Sequence, residues 1–400
     1  MRKLAVLAVV MALGTMLLAG CWSRRELNDI SIAVGVGVDK RDGQYEVSVQ
    51  VVNPQEIAAK RGTQFAPVTM YQETGQTIMG TFRRMTTHSP RKIYLAHLRI
   101  MVISEQLARE GIKPILDFFS RDHELRTDFY VVVAKNNRVD RVLAVLRLLE
   151  KIPATNLYKI LENSEKFWSP TSGVFLDQLI SDMITPGRSP VLSGVEVEGD
   201  IKESDSLSNL DKTLGNAFLK YSSIGVFRKD KLIGWLNEEE SRAFNFIQNK
   251  VKRSVGEIAC PGGGKLALEL IRSKTTIKAV MKNGKPEIEI AIRSEGNVAE
   301  VQCDIDLTKL ETIAQLERLS NQKLKAMIDK TVHRVQKEYK ADIFGFGETI
   351  NRSHPNVWKE HESDWEEAFA ALPVHVKVDF KIRRTGTQTN SYQTEMDKKE

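Results

Sequence analysis

The sequence predicts an α+β protein of several domains, with mixed and antiparallel sheets and packed helices, and three observations carry that prediction. Short alternating apolar runs come in pairs joined by turn residues, which is hairpin patterning. Helical spacings and strand-like runs then follow one another in mixed order rather than as runs of one kind. Near the C-terminus a single apolar stripe continues over residues 307–339, long enough for one helix of roughly 50 Å at 1.5 Å per residue.

The chain opens with Met1-Arg-Lys3, an apolar run over residues 4–18, and Leu18-Ala-Gly-Cys21. A charged start, a short apolar stretch and small residues before a cut describe an export signal. The cysteine makes it specific, because a thiolate there takes a diacylglyceryl group before cleavage. Residues 1–20 are therefore read as a lipoprotein signal peptide, with Cys21 as the first residue of the mature chain and its lipid attachment site. The 17 positions from 4 to 20 fall short of the roughly 20 apolar residues of a membrane span. Acyl chains contribute about 0.8 kcal/mol per buried methylene, more than any surface feature supplies.

After the signal, residues 30–38 alternate large apolar and small side chains, 39–43 supply a turn, and 45–51 alternate again, an opening hairpin. A helix is expected over 75–85, a strand over 98–103, and a helix after Gly111 with Ile112, Ile115, Phe118 and Phe119 on one side. Residues 129–133 read as a strand and 139–149 as an amphipathic helix. Helices over 156–166 and 175–184 lead to Thr185-Pro-Gly-Arg-Ser-Pro190, whose prolines and glycine forbid regular structure, and to a strand over 191–197. Residues 21–197 form the N-terminal α+β region, expected to hold two subdomains.

Residues 198–212 carry acids, serines and few large apolar groups, so they are read as a linker. The C-terminal α+β domain, 213–384, starts with a hairpin, 217–227 with 232–236, and a helix over 238–251. A second hairpin turns at Lys282-Asn-Gly-Lys285, since Asn-Gly supplies the positive φ of a tight turn. The long helix, Phe344-Gly-Phe-Gly347, a tryptophan-containing stretch over 355–372 and an alternating strand over 374–382 complete it. The tail, 385–400, is polar and expected to be disordered.

Composition is that of a folded chain, 42% hydrophobic and 28% charged. Without Arg2 and Lys3, 56 basic residues face 52 acidic ones, a net charge of +4. That mild excess suits a neighbour of anionic lipid and requires no nucleic acid, which export also places out of reach. Of the remaining cysteines, Cys260 and Cys303 face an oxidising compartment, where a disulfide between them is possible. Two separate buried thiols are the preferred reading, as small hydrophobes.

No constellation for catalysis, metal or cofactor binding holds together. Cys260-Pro-Gly-Gly-Gly-Lys265 lacks the first glycine of a phosphate loop, and Leu266 stands where Ser or Thr would hold magnesium. His123-Glu124 lacks the second histidine of a zinc helix. His354 and His361 lie among Glu360, Glu362 and Asp364 in a segment whose charge is better explained by solvation. Phe344-Gly-Phe-Gly347 is read as a turn that ends the long helix and is packed by its phenylalanines.

The chain resembles the C subunit of bacterial spore germinant receptors, the Ger(x)C lipoprotein family, nearly from end to end. Carrying the resemblance are Cys21-Trp22 with Arg25-Glu26-Leu27, Gly35-Val-Gly-Val-Asp39, residues 47–54, Val226-Phe227, Asp230-Lys-Leu-Ile-Gly-Trp235 and Gln248-Asn-Lys-Val251. Most specific is Ala341-Asp-Ile-Phe-Gly-Phe-Gly347 with Pro355, Trp358, Trp365 and residues 374–378. Two places depart from it: Ser23 replaces a frequent aspartate, and Arg242-Ala-Phe-Asn-Phe246 replaces a pattern with glycine and tryptophan.

The resemblance implies a non-enzymatic, three-domain α+β subunit on the outer face of the spore inner membrane. There it would sit with integral membrane A and B subunits in a nutrient receptor. Lipidation turns partner binding into an encounter at high effective concentration, so modest interfaces suffice. Two further readings stand behind it, in this order: a lipid-anchored extracytoplasmic solute-binding protein, and an envelope enzyme. The first would show two similar lobes around a cleft, and the second one or two indispensable side chains.

Overall fold

The structure is a computed structural model and describes residues 2–6, 27–58, 65–200, 209, 217–260 and 263–386. Two mixed sheets organise the chain. The larger has the order β3-β2-β1-β5-β6-β7-β8-β9, with β4 paired to the start of β1. Its strands are β1 (Ile30–Arg41), β2 (Gln44–Val52), β3 (Val68–Gly75), β4 (Lys92–Tyr94), β5 (Ile100–Ser104), β6 (Tyr130–Ala134), β7 (Val191–Gly199), β8 (Ala217–Arg228) and β9 (Lys231–Leu236). β1, β5, β6 and β7 form a parallel centre, and antiparallel hairpins flank it on both sides.

Parallel strands covered on both faces read as unbroken apolar runs, and β5 and β6 do. Met101, Ile103, Val131 and Val133 enter the main core, whereas Ile100, Val102, Val132 and Ala134 enter a second core on the opposite face. The second core lies under the helices Val139–Ala144 and Pro153–Phe167. A register shift between Ala33 and Gly35 turns Val34 to that face, away from Val36 and Val38. Gly37 faces the first of these helices so closely that a Cβ would stand 2.2 Å from Val139 Cγ1. The small residues between the valines of β1 are there for helix approach.

The polar stretch 198–212 joins two strands of one sheet. β8 pairs antiparallel with β7 from Val191↔Val226 to Gly199↔Ala217, and β9 extends the sheet to Leu236. A long hairpin connection and an interdomain linker have the same poor apolar content, so composition does not tell them apart. Of these residues 201–208 and 210–212 lie outside the described ones, as do 387–400 of the tail and most of the signal segment. Asn209 is buried: its Nδ2 donates to Leu146 O at 2.9 Å, and its Oδ1 accepts from Ala217 N–H at 3.2 Å.

The smaller sheet has the order β10-β11-β12-β13: Ser254–Ala259, Lys265–Lys282, Lys285–Val301 and Val374–Arg384. β11 and β12 turn at Asn283 and Gly284, both with positive φ, where the Asn-Gly pair predicts the turn. β13 runs parallel to β12. Across this sheet lies the helix Leu310–Arg334, continued as a π-turn, Val335–Tyr339, and closed by Lys340 in the left-handed region. Leu316, Ile328 and Val332 are its buried stripe. The helix expected over 139–149 stops at Ala144, where Val145 turns to extended backbone.

Cys260 and Cys303 are joined by a disulfide across a sequence separation of 43, which corrects the preferred reading of two separate thiols. Both follow strand ends, of β10 and β12, that the register of β10-β11-β12 brings to one end of the sheet. Removing that crosslink as Cys260→Ser/Cys303→Ser is expected to destabilise the domain by about 4 kcal/mol on the chain-entropy account. Denaturant unfolding of the double variant beside wild type measures this, and equal midpoints would contradict it.

Candidate functional site

The residues that sequence singled out as most specific converge on the joint between the two sheets. Lys340 ends the long helix, and Asp342, 2% exposed, follows it. Its Oδ1 accepts backbone N–H bonds from Phe344 at 3.2 Å, Gly345 at 2.9 Å and Phe346 at 3.1 Å. Its Oδ2 accepts from Gly347 N–H at 2.7 Å and from Trp365 Nε1 at 3.2 Å. A helix start leaves its first N–H groups without intrahelical partners, and this carboxylate collects them for the helix Phe346–Ser353. The Phe-Gly-Phe-Gly motif therefore begins a helix rather than ending one. Phe344 and Phe346 stack at 5.1 Å, and Phe346 packs on Phe369 at 6.2 Å.

Into this turn fits the Thr-Pro-Gly-Arg-Ser-Pro loop that precedes β7. Ser189 N–H donates to Asp342 O at 2.8 Å, and Glu348 N–H to Gly187 O at 3.3 Å. Gly187 has φ +72 and lies against Gly347, where a Cβ would stand 2.6 Å from the Gly347 carbonyl carbon. Both glycines are required by that backbone approach. Arg188 ties the pieces together: Nε lies 3.0 Å from Asp182 Oδ1, Nη1 2.8 Å from Glu348 Oε2, and Nη2 donates to Gln248 Oε1 at 3.2 Å. Gln248 Nε2 in turn donates to Phe344 O at 2.9 Å.

The helix Glu238–Ile247 carries the departure at 242–246 into the same joint. Asn245 Nδ2 donates to Ser169 O at 2.9 Å and Thr171 O at 2.8 Å, and Arg242 stacks over Trp168 at 4.7 Å. Lys250 Nζ donates to Ser172 Oγ at 2.7 Å.

The electrostatics are those of a dry joint. Burial pushes the Asp342 carboxyl up to about 6, although the backbone N–H groups of Gly347, Phe346 and Gly345 and the Trp365 indole pull the other way. Burial likewise raises Glu165 and Asp182 and lowers Lys250. A carboxylate with five donors and no nucleophile beside it is chemically occupied, so it locks two segments together. Sequence reasoning quoted the motif without Asp342's role, and read Arg188 only as part of an irregular loop.

The other candidates are dispersed. Cys21 lies outside the described residues. His123 lines an open groove of 640 Å³ between the helices Ile78–Met85 and Lys113–Arg121, with Phe82, Arg83, Phe118 and Arg121. Glu124 pairs there with Lys92 at 2.7 Å. His361 Nδ1 is 4.0 Å from Asp364, and His354 precedes the helix Pro355–His361. Among the described residues no three His, Cys, Asp or Glu are grouped to hold a metal, and no helix is long and apolar enough to cross a membrane.

Comparison with known proteins adds identity to this geometry. Residues 23–197 match the family described as spore germination protein N-terminal domain, and 222–386 the one described as spore germination B3/GerAC like, C-terminal. Spore germination protein KC of Bacillus subtilis (strain 168) is 30% identical, over 98% of this chain and 98% of that protein. The chain belongs to the Ger(x)C family of spore germination proteins. Spore germination protein B3 of the same organism is 26% identical over 92% of this Ger(x)C chain and 95% of its own. The crystal structure of the GerBC protein shares the fold, with a TM-score of 0.52 at 21% identity, over 87% of this chain and 96% of that one. The first family match ends at 197 in β7 and the second begins at 222 in β8, so in this chain the two matched segments share the larger sheet.

Proposed function

We propose that this Ger(x)C chain is the lipid-anchored subunit of a nutrient germinant receptor. It acts at the outer face of the spore inner membrane by assembly with integral membrane A and B subunits, and it carries no catalysis of its own. The observation that supports this most is the end-to-end match to spore germination protein KC in a chain that opens on a lipoprotein signal ending at Cys21. The joint at Asp342 fits a rigid interaction body, since its polar groups are spent on one another. Dipicolinate release from spores lacking the gene, across a panel of single nutrients, tests the role. Loss confined to one nutrient class, restored by complementation, is the expected result, and normal release under every nutrient would contradict it.

A second reading, direct contact with a solute, has one observation in its favour. The 640 Å³ groove sets the Phe82 and Phe118 rings, stacked at 5.6 Å, beside Arg83, Arg121 and His123. Calorimetric titration of the purified chain with the active nutrient separates the two readings.

A further inference from the structure

We infer that the end of the larger sheet where β1 begins rests on the bilayer, with Ile57 and Phe65 as the side chains that enter the lipid. The inference rests on the reading of Cys21 as the lipid attachment site. Leu27 follows Cys21 by six residues, at most about 21 Å of extended chain. β1 starts at Ile30 and runs twelve residues to Arg41, about 40 Å at 3.3 Å per residue. The far end of β1 thus lies beyond the reach of the tether, and the near end lies within it.

The described ends of the β2–β3 connection, residues 53–57 and 65–67, lie at that near end. Val52 pairs with Val68, and Asn53 N–H donates to Pro67 O at 2.8 Å, which holds the base of the connection beside the start of β1. On it Ile57 is 48% exposed and Phe65 71% exposed. β4 runs beside Ile30–Ile32 at the same end, and exposed Arg91 precedes it, a cation at the level of anionic headgroups. Phe218, another exposed ring, pairs through Glu198 at the opposite end of the sheet and serves as an internal reference.

The test uses the mature lipidated chain in phosphatidylglycerol–phosphatidylethanolamine vesicles doped with a diazirine phospholipid. After irradiation, mass spectrometry maps the lipid adducts. The expected result is adducts at Ile57 and Phe65 and none at Phe218. Ile57→Ser/Phe65→Ser should lower labelling at positions 57 and 65 at least tenfold while the fraction of chain floating with the vesicles stays unchanged. A chain that floats but is labelled only at residues 22–26, or elsewhere on its surface, would overturn the inference and leave the anchor standing. A chain that fails to float overturns both.

Discussion

Asp342→Ala is expected to unfasten the joint between the two sheets and to lower stability by about 4 kcal/mol. The substitution leaves four backbone N–H groups and the Trp365 indole without their acceptor, in a site that water does not reach. It also removes the carboxylate from the start of the helix Phe346–Ser353. In thermal melts this corresponds to a midpoint roughly 10 °C lower. Near-UV circular dichroism should change with it, because Trp358 and Trp365, 5.1 Å apart, pack around the same turn. An unchanged midpoint would show that the hydrogen bonds at Asp342 contribute little.

The same residue sets a pH dependence. Its carboxyl ionises about 6 in the fold, against an ordinary value of 3.8 when exposed. Between those values the folded chain binds the proton that the unfolded chain has released, so the group's contribution is greatest below 3.8 and is lost as pH rises through 6. The full difference is about 3 kcal/mol. Denaturation of wild type beside Asp342→Asn, whose side chain does not titrate, should show the stability difference shifting against wild type between pH 4 and 6. A constant difference across that window would contradict the assignment.

Cys21→Ala is the second large effect, and it acts on location rather than on folding. If Cys21 is the lipid attachment site, as proposed, the variant takes no acyl chain and loses anchoring of about 0.8 kcal/mol per buried methylene. The variant is expected to leave the membrane pellet after salt and carbonate washing, often unprocessed, while the melting behaviour of its folded domains stays that of wild type. Tight membrane association of Cys21→Ala would show that some other feature holds the chain there. With the anchor lost, partner encounter falls back to three dimensions, so the response to the nutrient class that depends on this chain should fail even though the fold is intact.

Much of the architecture was legible where turn chemistry marked it. Asp42-Gly43 and Asn283-Gly284 take positive φ at two of the three hairpins that the sequence predicted, and the apolar runs of β5 and β6 became covered parallel strands. β3 and β10 were not anticipated, and both are edge strands. An edge strand buries only part of one face, so Val68–Gly75 and Ser254–Ala259 alternate weakly. Four of Asp342's five donors lie within five residues of it and had a local signal in Asp-x-x-Gly. Its coupling to Ser189 and Arg188 did not, because those partners stand more than 150 residues away. The Cys260–Cys303 pairing was open for the same reason: counting cysteines does not tell a bridge from two buried thiols.

If the chain works as one subunit of a membrane receptor, the company it keeps tests that role most directly. A tagged mature chain would be purified from detergent-solubilised spore inner membranes and its partners quantified by mass spectrometry. Two polytopic membrane subunits recovered in amounts stoichiometric with the chain are the predicted result. The chain recovered alone, under conditions that keep those two subunits soluble and intact, would contradict it.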